Sequence, residues 1–220
     1  MRKIFIWDIH GCFDEFQELL WLLDIQSSDK IYIAWDMVNR GPKSFEVLEY
    51  LYNNQDQFHA IKWNHEVGLI AHLDWLAPKY ENEQYILLRK QLRDNINVWN
   101  YVRDLPLYID EEDFLLVHAW VLPWIDIKNQ GEKTLTEIYY YQDLPWYMYY
   151  PVHDKTIIYG HWAENGLQIR SNTIWLDSGC CIWNKLSAYI FGSWEILQVP
   201  AKRQYLTPKL VWHEAERAKK

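Results

Sequence analysis

Acidic, imidazole and amide side chains recur in this chain where short apolar runs end. Ile4-Phe5-Ile6-Trp7 runs into Asp8-Ile9-His10-Gly11, and Ile31-Tyr32-Ile33-Ala34-Trp35 runs into Asp36, with Asn39-Arg40-Gly41 close behind. Ala60-Ile61-Lys62-Trp63 leads to Asn64-His65-Glu66, Leu115-Leu116-Val117 to His118, and Ile157-Ile158-Tyr159-Gly160 to His161. Oxygen and imidazole donors in this mixture suit Mn, Fe, Zn or Co better than a thiolate-seeking ion. Asp8 and His10, two residues apart at a strand exit, can turn toward one cation. Asp36 can bridge two cations, and Asn64, His118 and His161 can complete the second. Two cations about 3.5–4 Å apart clamp a phosphate and activate water at neutral pH. The Arg40 guanidinium suits bidentate contact with phosphate oxygens. His65 stands where a general acid could protonate a leaving oxygen. Any one of these residues alone reads as a turn, cap or core residue. Agreement of all five clusters in position and type argues a site.

The elements that must carry these residues follow from apolar spacing. The first third reads β-α-β-α-β, with strands at 3–7, 31–35 and 58–62. Phe13, Phe16, Leu19, Leu20, Leu22 and Leu23 mark the first helix. The turn Gly41-Pro42-Lys43-Ser44 opens a second, with Phe45, Val47, Leu48 and Leu51, and another helix begins near Glu66, which is expected to support the His65 turn. Such alternation predicts a largely parallel sheet covered by helices, with ligands at the C-terminal ends of its strands. A polar helical stretch spans 82–104, and further strands are predicted at 107–110, 114–117, 155–159, 173–176, 187–191 and 194–199. The Tyr- and Trp-rich segment 126–151 reads as an aromatic packing surface, with base stacking as the alternative. Residues 1–206 read as one domain and 207–220 as an exposed helical tail. His59, His72, His153 and His213 match no ligand position. Cys180-Cys181 reads as loop packing near the site, and Arg170 is a candidate second phosphate contact.

Composition narrows the function classes. A chain of 220 residues can bury a substantial core. Its net charge of −8 argues against non-specific binding to nucleic acid or anionic membranes. An anionic substrate stays possible if bound cations supply the positive field. No apolar run is long enough for a secretory signal or a membrane span. Three cysteines, two of them adjacent, suggest no disulfide framework, and a reducing cytoplasm is expected.

Taken in order, Asp-x-His-Gly, Asp-x-x-x-Arg-Gly-Pro, Asn-His-Glu, His-Ala and Gly-His resemble the calcineurin-type metallophosphoesterases, in their phosphoprotein phosphatase branch. Asp36-Met37-Val38-Asn39-Arg40-Gly41-Pro42-Lys43-Ser44 is most similar to the bacterial symmetrical diadenosine tetraphosphatases. The same holds for Gly160-His161-Trp162-Ala163 and Leu176-Asp177-Ser178-Gly179-Cys180-Cys181. The resemblance covers most of residues 3–200. It implies an α/β fold, a four-layer αββα sandwich, with two divalent metal ions, manganese first among them, held by Asp8, His10, Asp36, Asn64, His118 and His161. It implies a small-molecule nucleotide substrate contacted by Arg40 and Asn39, with His65, Arg40 and Asp36 catalytic. The expected reaction is hydrolysis of diadenosine tetraphosphate to two ADP. The alternatives are a Ser/Thr or broad phosphomonoester phosphatase and an inactive phospholigand-binding module.

Three departures stand out. Asn39 replaces the Asp that protein phosphatases of the branch pair with the catalytic His, which favours the nucleotide-hydrolase reading. The stretch between His118 and His161 is shorter than in the tetraphosphatases, which leaves substrate recognition open. Third, Trp7, Trp35, Trp63, Trp120 and Trp183 stand where the family motifs carry Gly, with Trp124 a further candidate. The chain has 14 Trp and 8 Gly, the reverse of the usual ranking. Indoles of about 150–250 Å² beside the cations would crowd the site, and overpacking costs about 1–3 kcal/mol per position. One codon accounts for the pattern: UGA, read as Gly in some bacterial lineages and as Trp under another translation table. The expectation is therefore glycine at 7, 35, 63, 120 and 183 in the natural chain, the competing reading being genuine Trp and an occluded site.

Overall fold

The structure is a computed structural model that describes residues 1–34, 36–73, 83–137, 140–141, 144–145, 155–160, 167–176 and 178–206. The chain opens with β1 (Lys3–Trp7), α1 (Phe13–Leu22), β2 (Lys30–Ile33), α2 (Ser44–Asn53), β3 (Phe58–Ala60) and α3 (Asn64–Leu73). The polar stretch forms α4 (Glu83–Asp94) and α5 (Ile96–Asp104). Then come β4 (Tyr108–Asp110), β5 (Phe114–Val117), α6 (Glu132–Glu137), the short pair β6 (Tyr140–Tyr141) and β7 (Leu144–Pro145), and β8 (Thr156–Tyr159). The chain continues through β9 (Gln168–Ile169), β10 (Thr173–Trp175), β11 (Lys185–Ile190) and β12 (Glu195–Pro200). α6, β6, β7 and β9 were not anticipated: the first three fall in the segment 126–151, where apolar spacing gave no clear period. β3 stops short of the expected 62 because the Lys62 amide bonds Pro106 O instead of continuing the ladder.

Two five-stranded sheets form, in the orders β12-β11-β1-β2-β3 and β4-β5-β8-β10-β9. Each is parallel at its centre: β1 with β2 and β2 with β3 in one, β5 with β8 and β8 with β10 in the other. Antiparallel strands flank the second parallel core on both sides and the first on one side, β3 being its edge. All five motif-bearing runs are parallel strands, so their C-terminal ends share a direction within each sheet.

The period-2 alternation of a strand sorts the first sheet's side chains between two cores. Ile4, Ile6, Ile31 and Ile33 pack with Phe16, Leu19, Val47, Leu48, Leu51, Leu88 and Val102 of the covering helices. Phe5, Trp7 and Tyr32 face the other way, toward Phe114, Leu116 and Ile158 of the second sheet. Phe114 is the hinge pin of that contact, its ring 4.9 Å from both Phe5 and Tyr32 in edge-on geometry. The expected α/β sandwich is therefore present. The tail 207–220 and residues 138–139, 142–143 and 146–151 of the aromatic segment lie outside the described residues. All three cysteines are buried thiols outside any disulfide, in the helix-side core as packing residues.

Candidate metal centre

Asp8, at the exit of β1, and His10 both take left-handed backbone angles, φ 51° and 43°. Strain of this kind persists only where the surroundings over-determine it. Here the surroundings are the loop after β2. His10 N donates to Asp36 O at 2.7 Å and Gly11 N to Met37 O at 3.0 Å, while Gly41 N donates back to His10 O at 2.7 Å. Gly41 and Gly11 meet face to face: a Cβ on Gly41 would lie 2.3 Å from His10 O and 2.7 Å from Gly11 C. The two loops are thus zipped into one ledge that carries Asp8, His10, Asp36, Asn39 and Arg40.

On this ledge Asp36 Oδ2 lies 3.3 Å from His10 Nε2 and 3.7 Å from His65 Nε2. All three residues are buried. Among the described residues, His10, Asp36 and His65 are the group whose potential ligand atoms lie within 4.8 Å of one another. Arg40 closes it, with Nη1 2.7 Å from His10 Nε2 and Nη2 3.5 Å from His65 Nε2. His65 sits in the first turn of α3, and its Nδ1 lies 2.8 Å from the Asn39 amide. The two amide orientations are interchangeable, so Asn39 serves either ring tautomer, accepting from Nδ1–H or donating to its lone pair.

These residues fit a divalent cation. His10 Nδ1 lies 3.2 Å from the Val38 carbonyl. A carbonyl only accepts, so Nδ1 carries the proton and Nε2 keeps a lone pair, which here accepts from Arg40 Nη1 and is the donor a cation would use, the arrangement of metal-ligating histidines. Burial first, then the charge of Arg40 and the proximity of His65, push the His10 pKa well below its ordinary value, which keeps the ring neutral. Asn64 Oδ1 is buried with no hydrogen-bond partner among the described residues, an orphan acceptor that a cation would satisfy.

His118 is fully buried at the end of β5, and its backbone oxygen accepts from Gly160 N. Its ring lies edge-on to Trp63, 4.1 Å between centroids. Asp8 and His118 fall outside the tight group of three, and His161 lies outside the described residues. Arg170 donates to the Tyr159 hydroxyl at 3.3 Å, at the end of β8.

Glu66 does more than the sequence expectation. Its Oε1 accepts from the amides of both Met37 and Val38 at 3.2 Å. It therefore fastens the segment that follows Asp36, while its carboxylate also meets its own amide in the first turn of α3. Burial, and then the negative charge of Asp36, push its pKa well above the carboxylate range. The sequence signal was its place two residues after Asn64, but its acceptor role toward a loop 29 residues away needs the tertiary contact.

The Trp residues divide into two kinds. Trp7 and Trp63 are fully buried and Trp120 nearly so, all in the inter-sheet core, and the Trp7 indole nitrogen is buried without a hydrogen-bond partner among the described residues. Trp183 is instead 64% exposed. Trp35 lies outside the described residues.

No protein-family model matches the chain. It is 27% identical to the symmetrical bis(5'-nucleosyl)-tetraphosphatase of Aromatoleum aromaticum, across 90% of this chain and 97% of that protein. A 34% identical match to the protein of the same name from Chromobacterium violaceum covers 54% of this chain and 43% of the relative. The chain thus spans under half of that relative and nearly the whole of the Aromatoleum protein. A crystal structure of a provisionally named diadenosine tetraphosphatase superposes with a TM-score of 0.79 at 26% identity, over 91% of this chain and 93% of its own. A metallophosphoesterase from Sphaerobacter thermophilus shares the fold, with a TM-score of 0.58 at 16% identity, over 92% of this chain and 88% of its own. Among the described residues no helix is long and apolar enough to cross a membrane. The chain is a homologue of the symmetrical bis(5'-nucleosyl)-tetraphosphatases with a metallophosphoesterase fold, and these likenesses support a phosphohydrolase.

Proposed function

We infer that the chain hydrolyses a phosphoanhydride bond of dinucleoside polyphosphates, with diadenosine tetraphosphate giving two ADP. The observation that carries this reading is the Asp36 carboxylate between two imidazoles, with the Arg40 guanidinium against both. Asp8, His10, Asp36, Asn64, His118 and His161 would hold two divalent ions, manganese preferred over iron, zinc or cobalt. When bound, such ions neutralise phosphate charge and make water a competent nucleophile near neutral pH. Arg40 binds the phosphoryl oxygens and takes up charge that grows in the transition state. His65 delivers a proton from Nε2 to the leaving phosphate oxygen, and Asn39 holds the ring through Nδ1. Asn39 carries no charge, so it orients His65 without stabilising an imidazolium as a carboxylate would. Glu66 keeps the Asp36 loop in place from behind.

The test is an assay with manganese that measures ADP released from diadenosine tetraphosphate beside phosphate released from a phosphopeptide. ADP release with a silent phosphopeptide supports the reading; the reverse assigns a phosphomonoester phosphatase. His65→Ala and Asp36→Asn are each expected to lower kcat at least 100-fold, and full activity in either would remove that residue from its role. A second reading, an inactive phospholigand-binding module, is favoured by one observation: the Trp63 indole packed on the His118 ring. Silence in both assays, with retained nucleotide binding, would establish it for the chain as written.

A further inference from the structure

Among the described residues, seven other than glycine have positive φ: Asp8, His10, Asp24, Asn39, Arg40, Trp183 and Trp194. Asp, Asn and His are the types enriched there, because short polar side chains tolerate it. His10 and Arg40, like Asp8 and Asn39, belong to the loops that form the candidate metal centre, where strain is held by function. Two bulky aromatic residues outside that centre are left.

Trp183 ends the 3-10 turn Cys180–Ile182 with φ 75° and ψ 36°, and its amide bonds Cys180 O. This is the left-handed closing residue that glycine supplies at helix ends. Trp194 lies in no motif. It closes the four-residue loop between β11 and β12, where Ile190 pairs with Glu195. Gly192 and Trp194 take φ 82° and 63° there, and Ser193 Oγ bridges Ile190 O and the Glu195 amide. Glycine is the residue that takes a left-handed position in short hairpin loops without a Cβ penalty. Both indoles are 64% exposed, so burial does not compensate the backbone cost. Trp99 is the contrast: it lies inside α5 and packs, partly buried, against the helix-side core.

We propose that position 194, like 183, is glycine in the protein made by its own cell, encoded by a UGA codon that the cell reads as glycine. The left-handed backbone of the exposed residue 194 argues for this independently of any motif, and the proposal leaves the helical, partly buried Trp99 as tryptophan. The inference stands whether or not the substrate assignment holds.

The test has two arms. Sequencing the gene and mass-mapping peptides of the native protein should find UGA codons and glycine at 183 and 194, with UGG and tryptophan at 99. UGG at 194, or a native peptide carrying an indole there, overturns the proposal. In the chain as written, Trp183→Gly and Trp194→Gly should each raise the thermal midpoint by roughly 2–4 °C, from relief of left-handed strain, whereas Trp99→Gly should lower it. A lowered midpoint in Trp194→Gly would likewise overturn the proposal.

Discussion

Gly41 shows how closely single positions are constrained around the candidate metal centre. A Cβ there meets His10 O at 2.3 Å, and backbone cannot yield as a flexible side chain can. Gly41→Ala must push the His10 loop away from the Asp36 loop. The expected result is a folded protein that retains less than half the wild-type manganese after dialysis, read by elemental analysis. Full occupancy would show that the ledge tolerates separation. Glu66 tests the same ledge from behind. Glu66→Ala removes the acceptor of two buried amides, at a cost of about 1–3 kcal/mol per unsatisfied group, and should weaken manganese binding at least 10-fold by calorimetry. Glu66→Gln keeps a carbonyl acceptor at the same reach and should restore affinity to within about threefold. Equal losses in both would mean that the charge, not the acceptor, matters.

Each element places its candidate donor by ending where it does. β1 and β2 run parallel in register from Lys3 opposite Lys30, so their C-terminal ends reach the ledge together. The opposite end is fixed by Asp29, whose carboxylate accepts from the Arg2 amide and guanidinium and from the Gln26 amide. The Arg2 guanidinium, foremost, holds the Asp29 pKa down to about 2, below its ordinary 3.8. A depressed folded-state pKa contributes stability that is complete above the unfolded value and is lost as pH falls toward the folded one. The wild type should therefore shed about 1–2 kcal/mol between pH 4 and pH 2 from this group, a figure reduced for the partly exposed Arg2. Asp29→Asn should be less stable at pH 7 and lack that component of the acid loss, as seen in denaturant midpoints across the range.

The molecule as a whole depends on two sheets sharing one aromatic joint. Phe114 is fully buried and meets Phe5 and Tyr32 of the opposite sheet. Phe114→Ala should cost about 3–5 kcal/mol through lost burial and a cavity that rigid strands cannot close. Urea unfolding measures this directly, and a cost below about 1 kcal/mol would show that the sheets are held mainly elsewhere. Because His118 extends from the second sheet, the same variant should weaken manganese binding, whereas Asp29→Asn, confined to the first sheet, should not.

Much of this was legible in the chain before any coordinates. Apolar runs of three to five residues ending in Asp, Asn or His identified the parallel strands β1, β2, β3, β5 and β8, because strand polarity and side-chain alternation are local properties. The clustering donors His10, Asp36 and His65 were equally readable as residue types, since donor chemistry belongs to the residue. Pairings across long sequence separations were not. Glu66 reaching the Met37 and Val38 amides, Gly41 seated on His10, His65 drawn within 3.7 Å of Asp36, and the left-handed angle at Trp194 are all set by how loops distant in sequence close on one another. Nothing in a neighbouring residue encodes such a contact; it exists only when two sheets and their covering helices have packed, and the free energy of that packing holds the strained ledge in place.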